Sequence, residues 1–235
     1  MKVLLYNPNT TVSMTVGFTP AALAAAGPDT EVIAETAAIG PESIEGYYDE
    51  SLCVPPMLHR FADLEAEGFD AAIIACFDDT GLDAARSLLA VPVLGLCQSA
   101  ALIASNVCER VAVVTTMPQS VPPLNRLVGS YLGAERNAGV FAAGIPVLDL
   151  EDPSQATLDR LFSSCETALA SGGADGLVLG CAGLSKLAKT ISDTFGVPVI
   201  EPIAAATKLA EATVGLGLKT SKSGGWTAPR PKART

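Results

Sequence analysis

Asp70-Ala-Ala-Ile-Ile-Ala-Cys76 and Asp175-Gly-Leu-Val-Leu-Gly-Cys181 are two copies of one pattern, an aspartate, a short apolar run and a thiol six positions on. The two cysteines lie 105 positions apart. A second pair of matching segments, Val91-Pro-Val93 and Val197-Pro-Val199, repeats at 106 positions. Because two separate landmarks repeat at nearly the same interval, we infer that the chain contains a duplicated unit, and that each copy carries one of these cysteines.

Short apolar runs alternate with longer stretches rich in Ala and Leu along the chain. This alternation is typical of buried parallel strands connected by crossover helices. We therefore predict an α/β fold of two pseudo-symmetric units, each built on a parallel sheet. The first unit is predicted to comprise residues 1–97 and 207–235, because the last helix has no counterpart in the first half and is expected to pack back on it. The second unit is predicted to comprise residues 98–206.

The same pattern predicts individual elements. Strands are expected near Val3–Tyr6, Glu31–Glu35, Ala72–Ala75, Val93–Leu96, Val111–Thr115, Val140–Leu148, Leu177–Leu179 and Val199–Ile200. Helices are expected over Met14–Ala26, Leu52–Gly68, Asp79–Leu89, Ser99–Val107, Val121–Gly133, Ser154–Ser171, Leu184–Phe195 and Ile203–Gly215. The polar end of the chain, residues 219–235, is expected to form a surface segment or a loose tail.

Composition excludes several classes of partner. The 235 residues carry a net charge of −10, whereas binding of nucleic-acid phosphates needs clustered Lys and Arg. No apolar stretch approaches the roughly 18 residues of a membrane span, and the first apolar run ends at Asn7, too early for a secretory signal. Six cysteines without a CxxC motif suit reduced thiols. We predict a cytoplasmic protein without nucleic-acid or membrane partners.

Cys76 and Cys181 each end an apolar run. In α/β sheets, ligands bind beyond the carboxyl ends of the strands, where helix amino termini present free N–H groups. We expect each thiol to sit at a helix entrance, where the helix dipole favours the thiolate. The alternative is a pair of buried core cysteines, since free Cys is among the most buried residue types. Their matched places in the repeat favour a shared functional cleft.

Polar loops follow the first strand of each unit. Asn7-Pro-Asn-Thr-Thr11 and Thr115-Thr-Met-Pro-Gln-Ser120 are candidate sources of amide and hydroxyl groups for a ligand, although such residues are also common in turns and caps. Gly40–Gly46 is a third such loop, which is expected to close over the site. Asp78 and Asp79 either cap a helix or contact the ligand; a carboxylate close to Cys76 would oppose formation of its thiolate.

Cofactor and metal chemistry have no sequence signal. The only histidine, His59, is expected on a helix surface, which argues against a zinc site built on several histidines and against a His-dependent hydrolase. Neither a P-loop nor a G-x-G-x-x-G motif follows a strand. We predict no cofactor and no metal.

Five segments of the chain carry a family resemblance. They are Asn7-Pro-Asn-Thr10, Gly40-Pro-Glu-Ser-Ile-Glu-Gly46, Ala75-Cys-Phe-Asp-Asp-Thr-Gly-Leu-Asp-Ala-Ala-Arg86, Val114-Thr-Thr116 and Leu179-Gly-Cys-Ala-Gly-Leu-Ser185. With these motifs in this order, from Lys2 to about Lys222, the chain resembles the hydantoin racemases of the aspartate/glutamate racemase superfamily. Tyr47–Glu50 and Cys53–Pro56 depart from the family pattern, in which a glycine is usual at position 56, and we expect this segment to influence substrate choice.

The resemblance implies two Rossmann-like (flavodoxin-like) domains with the active site in the cleft between them. It implies a cofactor-independent racemase that interconverts D- and L-5-monosubstituted hydantoins, with Cys76 and Cys181 as acid and base at C5. Allantoin racemase is a close relative with the same motifs, and a non-catalytic small-molecule binding protein is the alternative from another class. The resemblance also implies a homo-oligomer.

The expected ligand contacts come from both units. An enolate formed at C5 is expected to be stabilised by backbone N–H groups of the two cysteine turns, at Phe77–Asp78 and Ala182–Gly183, and by side chains of the polar loops. The full set of expected substrate-binding residues is Asn9, Ser43, Ile44, Phe77, Asp78, Thr115, Thr116, Ala182 and Gly183.

Overall fold

The apolar runs of the chain form eight strands in two parallel sheets, seen in a computed structural model that describes residues 1–230. The strands are β1 (Lys2–Asn7), β2 (Glu31–Thr36), β3 (Ala71–Ile74), β4 (Val93–Gly95), β5 (Val111–Thr115), β6 (Asn137–Ala142), β7 (Gly176–Leu179) and β8 (Val199–Ile200). The helices are α1 (Val12–Ala25), α2 (Tyr47–Leu64), α3 (Leu82–Leu88), α4 (Leu96–Ala104), α5 (Val121–Leu132), α6 (Gln155–Gly172), α7 (Ala188–Phe195) and α8 (Pro202–Gly215).

The two sheets have the same topology. Their strand orders are β2-β1-β3-β4 and β6-β5-β7-β8, and every neighbouring pair is parallel. The predicted α/β fold with two parallel-sheet units is therefore confirmed. The strands that precede the two cysteines, β3 and β7, lie second from the end in their sheets, at equivalent positions.

The aspartate that opens each repeat has the same structural role in both sheets. Asp70 accepts a hydrogen bond from the N–H of Lys2 at 2.7 Å, at the start of β1. Asp175 accepts bonds from the N–H groups of Glu109 and Arg110, each at 2.9 Å, just before β5. Each carboxylate thus aligns the start of the neighbouring strand with the start of the strand that the aspartate itself precedes. The duplication extends beyond the thiols to the residues that fix the strand register.

Helices α1, α4, α5 and α8 pack between the two sheets, and their buried residues form one apolar cluster with the facing sides of both sheets. The opposite face of the first sheet packs against α2 and α3, and that of the second against α6 and α7. The shared central layer holds the two sheets at a fixed distance, with the carboxyl ends of their strands around one common opening.

The last helix packs on α1, β3 and β4 of the first unit, and also on α4 and the turn Ala182–Leu187, which lie wholly or mostly in the predicted second unit. The chain after it docks along α3: Thr220 donates to the carbonyl of Ala90, and the Trp226 ring lies under the guanidinium of Arg86 at 5.0 Å. Residues up to 230 of the expected tail are thus a docked surface segment, and residues 231–235 lie outside the described part. The domain division at residues 97/98 and 207 stays a prediction.

Several element boundaries differ from those predicted, and the two largest differences concern β6 and α2. Strand β6 begins at Asn137, three residues before the apolar run suggests, and ends before Gly144 and Pro146 turn the chain over the end of β5. Helix α2 begins at Tyr47, five residues earlier than predicted. Pro55 and Pro56 lie inside this helix.

A buried carboxylate fixes the first cysteine turn on the start of α4. Asp79 accepts hydrogen bonds from the N–H groups of Cys97 and Gln98, each at 2.9 Å, and from the hydroxyl of Tyr131 on α5 at 3.0 Å. It satisfies N–H groups that a helix leaves unpaired. Asp79 is also the one non-glycine residue of residues 1–230 with a positive φ, 50°. Of the two alternatives for Asp79, the structure therefore shows helix capping, of α4.

The second unit achieves the same connection with a different residue. The Glu201 side chain caps α8 by accepting the N–H groups of Ile203 and Ala204, at 2.9 and 2.6 Å. It also accepts a bond of 2.6 Å from the hydroxyl of Ser185, in the turn after Cys181. In both units one carboxylate thus joins the cysteine turn to the helix that follows the last strand.

Gly95→Ala tests how tightly the Asp79 contact is packed. A Cβ at position 95 would lie 2.3 Å from Oδ1 of Asp79, closer than side-chain carbons approach. Because three hydrogen bonds hold this carboxylate, we expect the substitution to lower the free energy of unfolding by about 1–3 kcal/mol, the usual cost of overpacking. Gly215→Ala, where a Cβ meets nothing within 4 Å, is the control. Equal urea midpoints for the two variants would contradict this tight packing.

Candidate active site

A cavity of about 430 Å³, including its opening to solvent, lies at the carboxyl ends of four strands, two from each sheet. Residues that follow β1, β3, β5 and β7 surround it, so the polar loops and both cysteine turns meet at one place. Its wall contains Asn9, Met14, Ile44, Ala75, Cys76, Phe77, Asp78, Thr115, Thr116, Ser120, Val147, Gly180, Cys181 and Ala182.

Seven of the nine expected contact residues lie in this wall together with both cysteines, and two do not. Ser43 is directed to the Glu45 side chain, to which its hydroxyl donates at 3.4 Å. Gly183 lines an adjacent cavity with Met14 and Lys186. The wall also contains Ser120, from the predicted polar loop Thr115–Ser120, and four residues that were not expected from the sequence: Met14, Ala75, Val147 and Gly180.

Cys76 lies deep in the cavity, with 8% of its surface exposed. Its Sγ accepts a hydrogen bond from the Thr80 hydroxyl at 3.4 Å and contacts Oδ2 of Asp78 at 3.7 Å. Burial first, and the Asp78 carboxylate second, raise the pKa of this thiol well above its ordinary value. The prediction that Cys76 lies at the start of a helix is wrong, because α3 starts only at Leu82. Cys76 is therefore a neutral thiol at neutral pH.

Cys181 is only partly buried. It directly precedes a short 3₁₀ helix, Ala182–Leu187, as expected for a helix entrance. Burial still raises the pKa of the thiol to about 11, although the N–H of Gly183 opposes this by hydrogen bonding to the sulfur. The expected stabilisation of the thiolate is thus outweighed by desolvation at both cysteines.

Matching backbone groups serve the two sulfurs. The N–H of Asp78 acts on Cys76 as the N–H of Gly183 acts on Cys181, each two residues after its cysteine. Both N–H groups favour the charged form of the sulfur. Their contact with a substrate oxygen, together with that of the Phe77 and Ala182 N–H groups, stays a prediction.

Side-chain donors around the cavity are fixed in orientation. Oδ1 of Asn9 accepts bonds from Nδ2 of Asn7 at 2.9 Å and from the N–H of Thr11 at 3.0 Å. Its amide Nδ2 donates to Sδ of Met14 at 3.5 Å, which leaves its second N–H for a ligand. Thr115 uses its hydroxyl on the carbonyl of Gly180, at 3.1 Å. Within residues 1–230, the hydroxyls of Thr116 and Ser120 have no protein partner. Asn9, Thr116 and Ser120 are thus the free donors of the wall.

The loop Gly40–Gly46 spans the two units. The Thr11 hydroxyl and the N–H of Thr10 hold it to the first unit, through the carbonyls of Glu42 and Pro41. On the other side, Oε1 of Glu45 accepts the N–H of Val147 at 2.9 Å. Ile44 lies between these anchors and in the cavity wall. The loop therefore covers one side of the cavity, as expected.

Asp78 separates this cavity from a second one. The outer cavity, about 630 Å³ with its opening to solvent, lies between the start of α2 and α5, and both Asp78 and Glu50 line it. Oδ1 of Asp78 and Oε1 of Glu50 are buried without a hydrogen-bond partner, the only such side-chain atoms within residues 1–230. Burial raises the pKa of Asp78 to about 6 and that of Glu50 to about 7. Asp78 thus lines both cavities and caps no helix of residues 1–230, and its contact with the ligand stays a prediction.

Other side chains lie away from these cavities. His59 is exposed on α2, in a groove with Glu35 and Arg60. In the part of the chain that the structure describes, no three His, Cys, Asp or Glu side chains are close enough together to hold a metal ion. Nor does any helix of residues 1–230 have the length and apolar character needed to cross a membrane.

Comparison with known proteins gives the family. The family model for Asp/Glu/hydantoin racemases matches residues 3–210. The chain belongs to the Asp/Glu/hydantoin racemase family. It is 45% identical to a hydantoin racemase of Rhizobium meliloti over 99% of this chain and 97% of the relative. It is 39% identical to a hydantoin racemase of Pseudomonas sp. (strain NS671), over 99% and 93%.

A solved structure of the same family has the same fold. The allantoin racemase from Klebsiella pneumoniae superimposes with a TM-score of 0.95 and 37% identity, covering 100% of this chain and 96% of that one. The expected family and fold are confirmed, and membership of this racemase family makes the chain an isomerase.

Glu50→Gln tests the buried state of this carboxyl. Because the pKa of Glu50 rises from its ordinary 4.5 to about 7 on folding, the native state binds an extra proton between these values. The stability that this protonation contributes is present below pH 4.5 and is lost as pH rises through 7. We expect Glu50→Gln, measured by urea unfolding, to gain stability relative to wild type between pH 4.5 and pH 8.

Asp175→Asn is the contrasting control. Two backbone N–H groups lower the pKa of Asp175 from 3.8, so its contribution to stability is complete above that value. The difference in free energy of unfolding between this variant and wild type should stay constant from pH 4.5 to pH 8. A constant difference for Glu50→Gln as well would show that Glu50 is not buried as described.

Proposed function

We propose that the chain interconverts D- and L-5-monosubstituted hydantoins without a cofactor, using Cys76 and Cys181 as acid and base at C5. The observation that carries the proposal is that the two thiols, from turns that follow strands of different sheets, line one small cavity. Racemisation by two bases needs a proton removed from one face of a carbon and another delivered to the opposite face. The hydantoin racemases among the relatives support this choice of substrate.

In the proposed reaction one cysteine, as thiolate, removes the C5 proton, and the other, as thiol, protonates the opposite face. The carbanion delocalises into the neighbouring ring carbonyl, where negative charge accumulates on oxygen. Nδ2 of Asn9 and the hydroxyls of Thr116 and Ser120 are the proposed donors to this oxygen. Removing one such donor typically costs about 2.7–4 kcal/mol of transition-state stabilisation.

The raised pKa values of both thiols shape the expected pH dependence. A thiolate of raised pKa is a stronger base toward a weak carbon acid, but a smaller fraction of it is ionised at neutral pH. Since the cycle needs one thiolate and one thiol, the rate should rise with pH above neutrality and fall once both are ionised. We therefore propose an enzyme with an alkaline optimum.

The substituent at C5 decides between two substrate classes. Ile44, Met14 and Val147 give the cavity an apolar side that suits aliphatic or aromatic substituents. The unpartnered Oδ1 of Asp78 favours the second candidate, allantoin, whose ureido N–H groups are hydrogen-bond donors. The similar allantoin racemase supports this candidate too. A non-catalytic binding protein would need the cavity but neither thiol.

We also propose a cytoplasmic homo-oligomer. All six cysteines are free, which supports a reducing compartment. Val12, Val16 and Leu23 are each more than half exposed on one face of α1, an apolar stripe that suits a subunit contact. Light scattering of the purified protein, with Val16→Lys beside it, tests the assembly.

Cys76→Ala and Cys181→Ala test the two-thiol mechanism. Each variant removes one of two acid–base groups, and we expect racemisation of 5-benzylhydantoin to fall at least about 10²-fold, the low end for such groups. The remaining thiol should still exchange the C5 proton of one enantiomer for deuterium, with retention of configuration. Optical rotation and loss of the C5 proton signal in D2O, followed together and repeated with allantoin, measure both effects.

Cys165→Ala is the matched control, because it makes the same truncation at a buried thiol on α6 outside the cavity. It should racemise at the wild-type rate. Racemisation at that rate by either Cys76→Ala or Cys181→Ala would rule out the two-base mechanism. A wild-type protein that takes up no deuterium from either substrate would leave the binding-protein interpretation.

A further inference from the structure

The two thiols differ in their access to solvent. Cys181 is partly exposed, whereas Cys76 is 8% exposed and its Sγ lies 3.7 Å from Oδ2 of Asp78. If both act as proposed above, on which this inference rests, every turnover exchanges their protonation states. The free enzyme must then move a proton back before it can bind the same enantiomer again. Both thiols line the open cavity, but Cys76 is the more buried and has beside it an acid side chain that offers a second route.

Asp78 is placed to begin such a route. Its Oδ2 lies 3.7 Å from Sγ of Cys76, and its Oδ1 is buried without a partner. The neighbouring Asp79 is not available for this role, because its oxygens are occupied by the N–H groups of α4 and the hydroxyl of Tyr131. Asp78 alone has one oxygen at the thiol and the other free to pass a proton on.

Glu50 is the next acid along this route. It lines the outer cavity with Asp78, and its Oε1 is likewise buried and unpartnered. The cavity opens to solvent between α2 and α5, next to Tyr47 and Arg126, which hydrogen-bond to each other across the two units. Two unpaired carboxyls in one buried wall cannot both be ionised without a large cost, so one of them carries a proton.

We propose that Asp78 and Glu50 form a proton relay that connects the Cys76 thiol with solvent in the outer cavity. The Cys76 S–H proton passes to Oδ2 of neutral Asp78 while the proton on its Oδ1 passes to the Glu50 carboxylate, directly or through water. Cys76 becomes a thiolate, Asp78 stays neutral and Glu50 becomes neutral, so charge is conserved. Glu50 then releases its proton to a base in solvent, and the reverse sequence reprotonates Cys76.

The charges around the relay come from four elements. Cys76 and Asp79 face Asp78 from its own turn, and Cys181 faces it from the turn after β7. The remaining groups are Asp49 and Cys53 on α2 and Arg126 on α5. The repeat partner of Asp78 is Gly183, which has no side chain to relay protons. The relay is therefore specific to Cys76.

Tracer perturbation with Glu50→Gln tests the relay. Enzyme is equilibrated with carbon-14-labelled racemic 5-benzylhydantoin, and an excess of one unlabelled enantiomer is added. When the free enzyme returns slowly to its starting form, the form left after turnover accumulates and converts labelled product back to labelled substrate. The ratio of labelled D- to labelled L-hydantoin then departs transiently from one. A positioned proton-transfer group contributes about 10²–10⁴-fold to the rate of the step that it serves. In Glu50→Gln we therefore expect the labelled ratio to depart from one at a substrate concentration at least about tenfold lower than in wild type.

Two further variants separate the relay from a structural effect. Glu50→Asp keeps the carboxyl and should restore most of the wild-type behaviour, and Asp63→Asn removes an exposed carboxylate of α2 and should behave as wild type. In Glu50→Gln the maximal rate should fall at least tenfold more than the rate at low substrate. If the labelled ratio in Glu50→Gln departs from one only at the substrate concentration that wild type requires, the relay is overturned and the proposed racemase activity stands. A wild-type enzyme that racemises neither hydantoin nor allantoin would overturn both.

Discussion

The buried Asp79 carboxylate is the contact on which the site depends. It joins three parts of the chain, the turn after Cys76, the start of α4 and, through Tyr131, helix α5 of the second unit. Its backbone is in the left-handed region, and Gly95 leaves room for its oxygens. Burial raises the pKa of Asp79 to about 6, and the hydrogen bonds it accepts oppose that shift. A positive φ at a non-glycine residue is costly, and it is retained where surrounding contacts hold it, as here.

The duplication supplies two equivalent turns, and the differences between them give the site its asymmetry. The capping carboxylate comes from the turn in the first unit, as Asp79, and from the helix in the second, as Glu201. Position 78 carries an acid where its counterpart, Gly183, carries none. The geometry that brings two thiols to one cavity is thus shared, while the protonation environment of each thiol is its own.

Strand order and the internal repeat made the location of the site predictable from the sequence. Parallel strands end on one edge, so the loops carrying Asn9 and Thr116 and the two cysteines had to converge at the carboxyl ends of the sheets. The protonation of the sulfurs was not predictable, because the distance from Cys76 to α3 and the depth of burial depend on packing. Glu50 was missed as a neighbour of Asp78 because the helix was predicted to begin only at Leu52, and because its approach to Asp78 depends on tertiary packing.

A crystal structure with 5-benzyl-5-methylhydantoin, which has no C5 proton to lose, tests the two-thiol site most directly. We expect the ring in the cavity between the two units, with C5 between the sulfurs of Cys76 and Cys181. Each sulfur should lie on its own face of the ring. Its distance from C5 should be roughly the 3–3.5 Å of reacting atoms, lengthened by the space that the added methyl group occupies. Both sulfurs on one face of the ring, or the ring bound outside this cavity, would contradict the two-base mechanism.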